Sequence, residues 1–497
     1  MKKRSILSLV LCLAMLLSTV AVKAEEAEYS VLNSEVVRLL GRGEVTETGS
    51  RTFNWAAAGF EFEFTGKKAE VLVDKLINSG DADYNGSFFN MAVYNGDELV
   101  RRERIRLTEG WNTIYTEAEG DPETKKIMFI RSSEPWMGTA SISKLKTDEL
   151  PKATEEKARL IEFIGDSITA GYANAEELSE NPGYCAENTD NWKSYAGIVA
   201  RNFNADYNVI AYSGKGVYAN RSMSSIEGNM TEEFGYEEVL HGSTSLNMST
   251  KKLHNFAEYQ PQVVFILLGE NDNAAPVPED IFKTAYDNLL NKVRDSYPDA
   301  TIICASMSMN IKYVRYFDII KELVEAPERG EANKFHMVVF DEYRSVNEWH
   351  PDGAEHERMA KKVIEKIDSI ENVWDSPRTN SIVKETLNGE GVAFDVQPKI
   401  VNNSTMVPLR AIAESLGFSV LWNEEDKSIM MTKGEKIVVM QIDNNKLFIN
   451  DEAKELVTAP MIDSGRTLVP LRAVAESFDM EVDWNGEEML VALKDAE

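Results

Sequence analysis

The run Leu160-Ile161-Glu162-Phe163-Ile164 leads directly into Gly165-Asp166-Ser167-Ile168-Thr169-Ala170-Gly171-Tyr172. An apolar, β-prone run that ends in a small-residue turn predicts a buried strand with a serine at its carboxyl end. The glycines there let backbone N–H groups and a ligand come close. The same pattern recurs downstream. Strands are predicted at 159–164, 206–212, 263–268, 300–306 and 336–340, with helical patterns near 193–203, 279–296, 312–325 and 355–369. Strand alternating with helix over residues 158–372 predicts a doubly wound α/β domain with a mainly parallel sheet. Ligands of such sheets bind outside the carboxyl ends of the strands. The loops predicted there carry Ser167, then Ser213-Gly214-Lys215-Gly216, then Gly269-Glu270-Asn271-Asp272.

A serine hydroxyl is a weak nucleophile until a base takes its proton. His350 is the best candidate base, because His350-Pro351 stands just before a helical pattern and so on a loop at the domain rim. His241 and His254 fall in a loop and helix region without a motif, and His336 begins a strand. His356 follows the base by six residues inside the helix, where packing or a helix surface is its expected role. Asp166 and Asp272 read as turn-shaping residues.

These blocks, a serine, glycine, asparagine and histidine in chain order within about 200 residues, resemble those of the SGNH (GDSL-type) hydrolase superfamily. The resemblance implies an α/β/α hydrolase domain. It assigns Ser167 as nucleophile and His350 as base, with an oxyanion hole made of the Ser167 N–H, the Gly214 N–H and the Asn271 side-chain amide. Gly216 is close enough to be the relevant glycine instead. Losing one such donor costs roughly 10²–10³ in rate. The superfamily usually places an acid three residues before the histidine, and that position here is Asn347. An amide can orient an imidazole but does not stabilise its positive charge as a carboxylate does. Glu348 and Asp352 are nearby, but neither is at the usual position.

Residues 30–147 read as β. Runs such as Phe60-Glu61-Phe62-Glu63-Phe64, Ala69 to Val73, Phe88 to Tyr94 and Lys126 to Ile130 are separated by turns such as Asn95-Gly96-Asp97. Short strands at this spacing predict a β-sandwich or jelly roll, with 147–154 as a linker. A β-sandwich followed by an SGNH domain resembles carbohydrate esterase family 2 over about residues 30–372, and Trp55 with Ala56-Ala57-Ala58-Gly59-Phe60 fits that family's sandwich. The family includes enzymes with a Ser–His dyad whose histidine is held by a backbone carbonyl. It implies a substrate-binding role for Trp349, which would sit at the cleft edge and stack on a sugar ring; rim packing is the other reading. Trp111 and Trp136 leave open whether the sandwich binds glycan or only walls the cleft. The implied reaction is double displacement through an acetyl-enzyme, with no metal and no cofactor.

Residues 380–495 hold an internal repeat. Val407-Pro408-Leu409-Arg410-Ala411-Ile412-Ala413-Glu414-Ser415 recurs 62 residues later as Val469-Pro470-Leu471-Arg472-Ala473-Val474-Ala475-Glu476-Ser477, and Trp422-Asn423 recurs as Trp484-Asn485. Each unit predicts a hairpin, a short helix opened near the proline, then strands. This α+β repeat resembles the "stalk" domain, also called copper amine oxidase N-terminal-like, seen on secreted bacterial proteins. The region contains no His and no Cys, which argues against copper and suits a spacer or a wall-contact module.

The chain opens Met1-Lys2-Lys3-Arg4, an apolar run to Val22, then Lys23-Ala24. This reads as a secretory signal peptide over residues 1–24. Its removal takes four positive charges and moves the formal net charge from −29 to −33. So acidic a surface argues against nucleic-acid partners and against docking on anionic lipid. Two remaining cysteines, Cys185 and Cys304, exclude a disulfide framework and are expected as free thiols. The expected protein is therefore multidomain and secreted, extracellular or attached to the cell wall: an O-acetyl esterase of acetylated polysaccharide such as xylan or glucomannan. Esterase action on cell-wall or exopolysaccharide glycans is the near alternative, and non-catalytic glycan binding the distant one.

Overall fold

The structure is a computed structural model. It describes residues 26–46, 48–77, 86–117, 123–175, 186–220, 254, 256, 260–274, 277–306, 316–330, 332, 334–340, 350–376, 378, 384–387, 390–391, 398–402, 404–450, 452–463, 466–485 and 490–495. The signal-peptide reading, Cys185, His241, Asn347, Glu348 and Trp349 lie outside the described residues. No helix among the described residues is long and apolar enough to cross a membrane.

Among the described residues, the N-terminal part folds as two sheets of six strands each. In one, Thr139–Thr147 pairs with Lys68–Ile77, Arg51–Phe53 and Ala27–Ser30. In the other, Gly59–Phe64 lies between Lys125–Arg131 and Arg38–Leu40. Alternation decides the faces. Phe60, Phe62 and Phe64 enter the core with Phe89 and Phe129, whose rings stack at 4.8 Å. Glu61 points the other way, to Arg38 and Thr154. Pairing runs past the expected boundaries at both ends. Ala27–Ser30 is a strand, and Lys152–Ala153 pairs with Glu63 and Phe62, so the stretch expected as a linker in part continues the sheet. Its proline and charges resemble linker composition, whereas its pairing partners lie about 90 residues away.

The central domain is a parallel five-stranded sheet: β1 (Leu160–Gly165), β2 (Asp206–Ala211), β3 (Val263–Leu267), β4 (Thr301–Ser306) and β5 (Phe335–Val339), in the order β2-β1-β3-β4-β5. Each strand lies within a residue or two of its predicted span. Helices α1 (Ser167–Ala170), α2 (Tyr195–Asn202), α3 (Glu270–Ala274), α4 (Glu279–Ser296), α5 (Phe317–Val324) and α6 (Gly353–Asp368) connect and cover the strands. Phe163, Phe265, Tyr195, Val199, Met359 and Val363 pack on the face covered by α2 and α6. On the other face, Phe282, Tyr286, Leu290 and Val293 of α4 meet Ile164, Ile266 and Ile302. Their i, i+4, i+8, i+11 spacing is one stripe of a helix. The order reverses between β1 and β3, the switch point at which open α/β sheets bind ligands.

Charged contacts join the two domains. Arg38 grips Asp206 with bonds of 2.7 and 3.0 Å. Arg42 reaches Glu162 in the middle of β1 at 3.3 Å, and neither side chain is exposed. Arg102 and Asn90 hold Asp190.

In the C-terminal part the repeat is expressed as structure. Strands Ser404–Pro408 and Arg466–Pro470 pair antiparallel with Val407 opposite Val469, which relates the two units about a local two-fold. The helices Leu409–Leu416 and Leu471–Ser477 begin one residue after each proline. Lys384–Leu387, from the start of this region, pairs in parallel with Leu490–Asp495 at its end. Trp422 and Trp484 are both partly exposed.

Candidate active site

Gly165 closes β1 where no side chain fits, since a Cβ there would stand 1.9 Å from Thr169 Oγ1. Asp166 then caps α1, its Oδ1 accepting the Ile168 N–H at 3.0 Å. Ser167 becomes the first residue of α1, so its own N–H is one of the four that have no intrahelical acceptor. Gly171 ends the turn in the left-handed region, φ +84°, which a side chain would disfavour.

His350 arrives from the far end of the domain. Asp352 caps α6 by accepting the Glu355 N–H at 2.8 Å, so this acid serves the helix. His350, two residues before that cap, lies with Nε2 2.7 Å from Ser167 Oγ. Both residues are buried. The Tyr172 ring lies against the imidazole at 4.3 Å between centroids. Tyr172 was part of the motif block, but nothing in the sequence assigned it to the histidine. The remaining described histidines stay apart from this pair's chemistry. His356 accepts the Tyr195 N–H at 3.2 Å, and burial, with His350 nearby, pushes it down to about 3. His254 packs on Phe256 and is held well below the usual imidazole range by burial, with Arg42 and Arg51 adding to it. His336 sits in β5.

Three loops at the carboxyl ends of β1, β2 and β3 converge here. Gly214 has φ +79°, and a Cβ on it would meet nothing within 4 Å. A Cβ on Gly216 would stand 2.1 Å from Ala219 O and 2.5 Å from Asp272 Oδ2, and the Gly216 N–H donates to Asn220. Gly216 is thus committed to packing, which leaves Gly214 with the open surroundings. Asp272 ties the loop down by accepting the N–H groups of Val217, Tyr218 and Ala219, each at 2.8 Å. Asn271 is buried, and its Nδ2 donates to Asp166 Oδ2 at 3.1 Å and to Lys215 O at 2.8 Å. An amide nitrogen carries two hydrogens, so both already have acceptors. Burial, reinforced by Glu270, Glu134 and Asp272, pushes the Asp166 carboxyl up to about 8. It is therefore mostly neutral at pH 7 and a weaker acceptor than an anion.

The N-terminal domain enters this site in a way the sequence did not foretell. Glu134, just after the strand Lys125–Arg131, accepts hydrogen bonds from both the N–H and the hydroxyl of Ser213. Trp136, two residues on, packs with Met137 against Tyr172 and Ala173. Trp111 stands partly exposed on Gly110–Thr116 with Lys146 over its ring. The Trp349 reading lies outside the described residues. A cavity of about 780 Å³ lined by Asp299, Thr301, Lys334 and His336 opens at the opposite, amino-terminal ends of β4 and β5, away from Ser167 and His350. Among the described residues no group of three His, Cys, Asp or Glu side chains could hold a metal ion.

Comparison with known proteins gives this arrangement a context. Residues 163–358 match the model of the GDSL-like lipase/acylhydrolase family, and residues 386–493 that of the copper amine oxidase N-terminal domain. Cellulase/esterase CelE of Acetivibrio thermocellus is 29% identical over 339 residues, covering 66% of this chain and 38% of that protein. An acetylxylan esterase/glucomannan deacetylase of Cellvibrio japonicus is 22% identical over 374 residues, covering 68% of this chain and 91% of that one. The solved structure of a family two carbohydrate esterase from Clostridium thermocellum, in complex with cellohexaose, superposes with a TM-score of 0.54 at 27% identity. It covers 67% of this chain and 98% of that structure. The chain thus carries a GDSL-type acylhydrolase domain and a copper amine oxidase N-terminal domain, and about two thirds of it is similar to family 2 carbohydrate esterases. It spans 38% of the length of the first of these relatives.

Proposed function

We propose that this chain, an acylhydrolase with family 2 carbohydrate esterases as its relatives, is a secreted serine esterase that removes O-acetyl groups from polysaccharides of the acetylxylan or glucomannan type. The observation that carries this reading is the 2.7 Å contact between His350 Nε2 and Ser167 Oγ at the β1–β3 switch point. In this reading the N-terminal sheets form a jelly-roll sandwich, the central domain is an α/β/α SGNH layer, and the C-terminal repeat contacts the cell wall.

The geometry supports the following reaction. Neutral His350 takes the Ser167 proton as Oγ attacks the acetyl carbonyl. The oxyanion is met by the N–H groups of Ser167 and Gly214. Asn271 joins by giving up its bond to neutral Asp166, because an oxyanion is the stronger acceptor. His350 passes its proton to the departing sugar hydroxyl, and the acetyl-enzyme forms. Water deprotonated by His350 then attacks the acyl carbonyl, acetate leaves, and Ser167 regains its proton. Tyr172 keeps the imidazole facing Ser167 throughout.

The test is acetate release from acetylated glucomannan and xylan by the protein and by Ser167→Ala. Release by the first and its loss in the second is the expected result. Neither release nor turnover of a small aryl acetate would overturn the esterase reading. Turnover of the aryl acetate alone would keep the chemistry and exclude these two polysaccharides.

A further inference from the structure

The turn after Lys125–Arg131 belongs to the N-terminal domain, yet it touches both halves of the catalytic machinery. Ser132 O accepts the Asn191 N–H at 2.9 Å, and Asn191 Nδ2 donates to Thr169 O at 3.1 Å within the helix that carries Ser167. Two residues on, the Glu134 carboxylate accepts the N–H and the hydroxyl of Ser213, the residue before Gly214. The turn is itself rigid. Arg131 is fully buried and donates to Ser133 O at 3.0 Å, to Ser87 Oγ at 3.1 Å and to Glu134 O at 3.3 Å. Glu134 has no exposed surface.

We propose that Glu134 is a positioning residue for the esterase reaction: by holding Ser213 at two points it sets the direction in which the Gly214 N–H meets the oxyanion. The Gly214 N–H belongs to the peptide bond that follows Ser213, so its direction is the ψ of Ser213. Gly214 itself has φ +79° and open space around it, and nothing in its own side chain fixes that peptide. The loop needs anchors at both ends. Asp272 supplies one by binding the N–H groups of residues 217–219, and Glu134 supplies the other. Burying a carboxylate is costly unless hydrogen bonds compensate it, and burial pushes Glu134 up to about 7. Besides Ser213, Arg131 on its own strand, Trp136 on its own turn and Asp166 at the end of β1 act on it. The N-terminal domain is on this account a part of the active site. The inference rests on the esterase reading and on Gly214 as an oxyanion donor.

The experiment compares the full-length protein with Glu134→Ala, Glu134→Gln and Ser213→Ala on an aryl acetate. Loss of a whole oxyanion donor costs roughly 10²–10³, so misdirecting one is expected to lower kcat about 10- to 100-fold in E134A with KM unchanged. In E134Q the amide oxygen still accepts the Ser213 N–H and its NH₂ still meets the hydroxyl, so kcat returns to within about threefold. Any inflection near pH 7 that belongs to Glu134 is lost in E134Q. S213A loses only one of the two bonds and falls between the two. Should E134A fail to fold, S213A carries the test, and unchanged kcat in S213A overturns the inference. A folded E134A with kcat within threefold of the parent overturns it too, as does a loss confined to KM. Amide exchange at 213–214 separates this failure from failure of the esterase reading. Faster exchange in E134A beside a parent that turns over no ester overturns the reading and, with it, the catalytic half of the inference. Unchanged exchange overturns the inference whatever the activity.

Discussion

Stability should fall as pH rises from 6.5 to 8.5, against the usual behaviour of a protein held together by ionised carboxylates. The perturbation is titration of the site's own acids. Burial raises Asp166 from 3.8 to about 8 and Glu134 from 4.5 to about 7. Each group holds a proton in the folded state that the unfolded chain has already released. Each stabilising contribution is therefore complete below the unfolded value and lost as pH rises to the folded one. Each proton held is worth about 1.4 kcal/mol per pH unit. The buried histidines act with the opposite sign. His356 is lowered from 6.5 to about 3, and His254 lies well below 6.5. The unfolded chain therefore gains protons there that the folded one refuses, and that contribution is lost as pH falls below 6.5. Between 4.5 and 6.5 the carboxyl protons held by the folded state, with Glu162 and Asp272 also raised by burial, oppose the imidazole protons gained by the unfolded state. Above 6.5 only the carboxyl terms remain. Asp166 then contributes a loss of roughly 2 kcal/mol up to pH 8, and Glu134 roughly 0.7 up to pH 7, or about 3 kcal/mol together. Hydrogen exchange of the β1 peptide, corrected for the intrinsic pH dependence of amide exchange, reports this unit apart from the C-terminal repeat. A free energy of opening that stays constant or rises from pH 6.5 to 8.5 would refute the argument.

Two further outcomes follow from the packing. Arg42→Met should cost about 3–5 kcal/mol, because it leaves the fully buried Glu162 with the Tyr297 hydroxyl at 2.9 Å but without its cation; Arg42→Met with Glu162→Leu should recover most of that loss in urea denaturation. Cys304 is fully buried, and burial pushes its thiol up to about 12; a disulfide reagent should leave it unmodified in the folded protein and titrate it only in denaturant.

The central sheet was legible because its strands are buried on both faces, so each appears as an unbroken apolar run with turn residues at its end. Ser167, Gly214 and Asn271 were legible for the same local reason: each sits where such a run stops. His350 could be named because Pro351 and the helical pattern after it mark the loop that carries it. The C-terminal repeat was visible as a repeat because both copies keep Val-Pro-Leu-Arg. Its closure, Lys384–Leu387 against Leu490–Asp495, was not visible, because a pairing across the whole region leaves no local trace.

What stayed hidden shares one physical character. Glu134 and Ser213 are 79 residues apart and belong to different domains. Before the fold is known, each is an ordinary polar residue beside a turn. The alternation Phe60-Glu61-Phe62 revealed a strand but not that Glu61 faces Arg38, which in turn reaches across to Asp206. The same is true of Arg42 and Glu162. The glutamate looked like an interruption in an apolar strand, and only its buried partner from the other domain explains it. A sequence pattern records what a residue requires of its neighbours along the chain. These carboxylates answer to partners from another domain, and a polar residue inside an otherwise apolar strand or at a buried turn is the trace they leave. Glu162 left that trace within the same eight residues as Ser167. The strand that leads into Ser167 was thus already marked as one that another domain must complete.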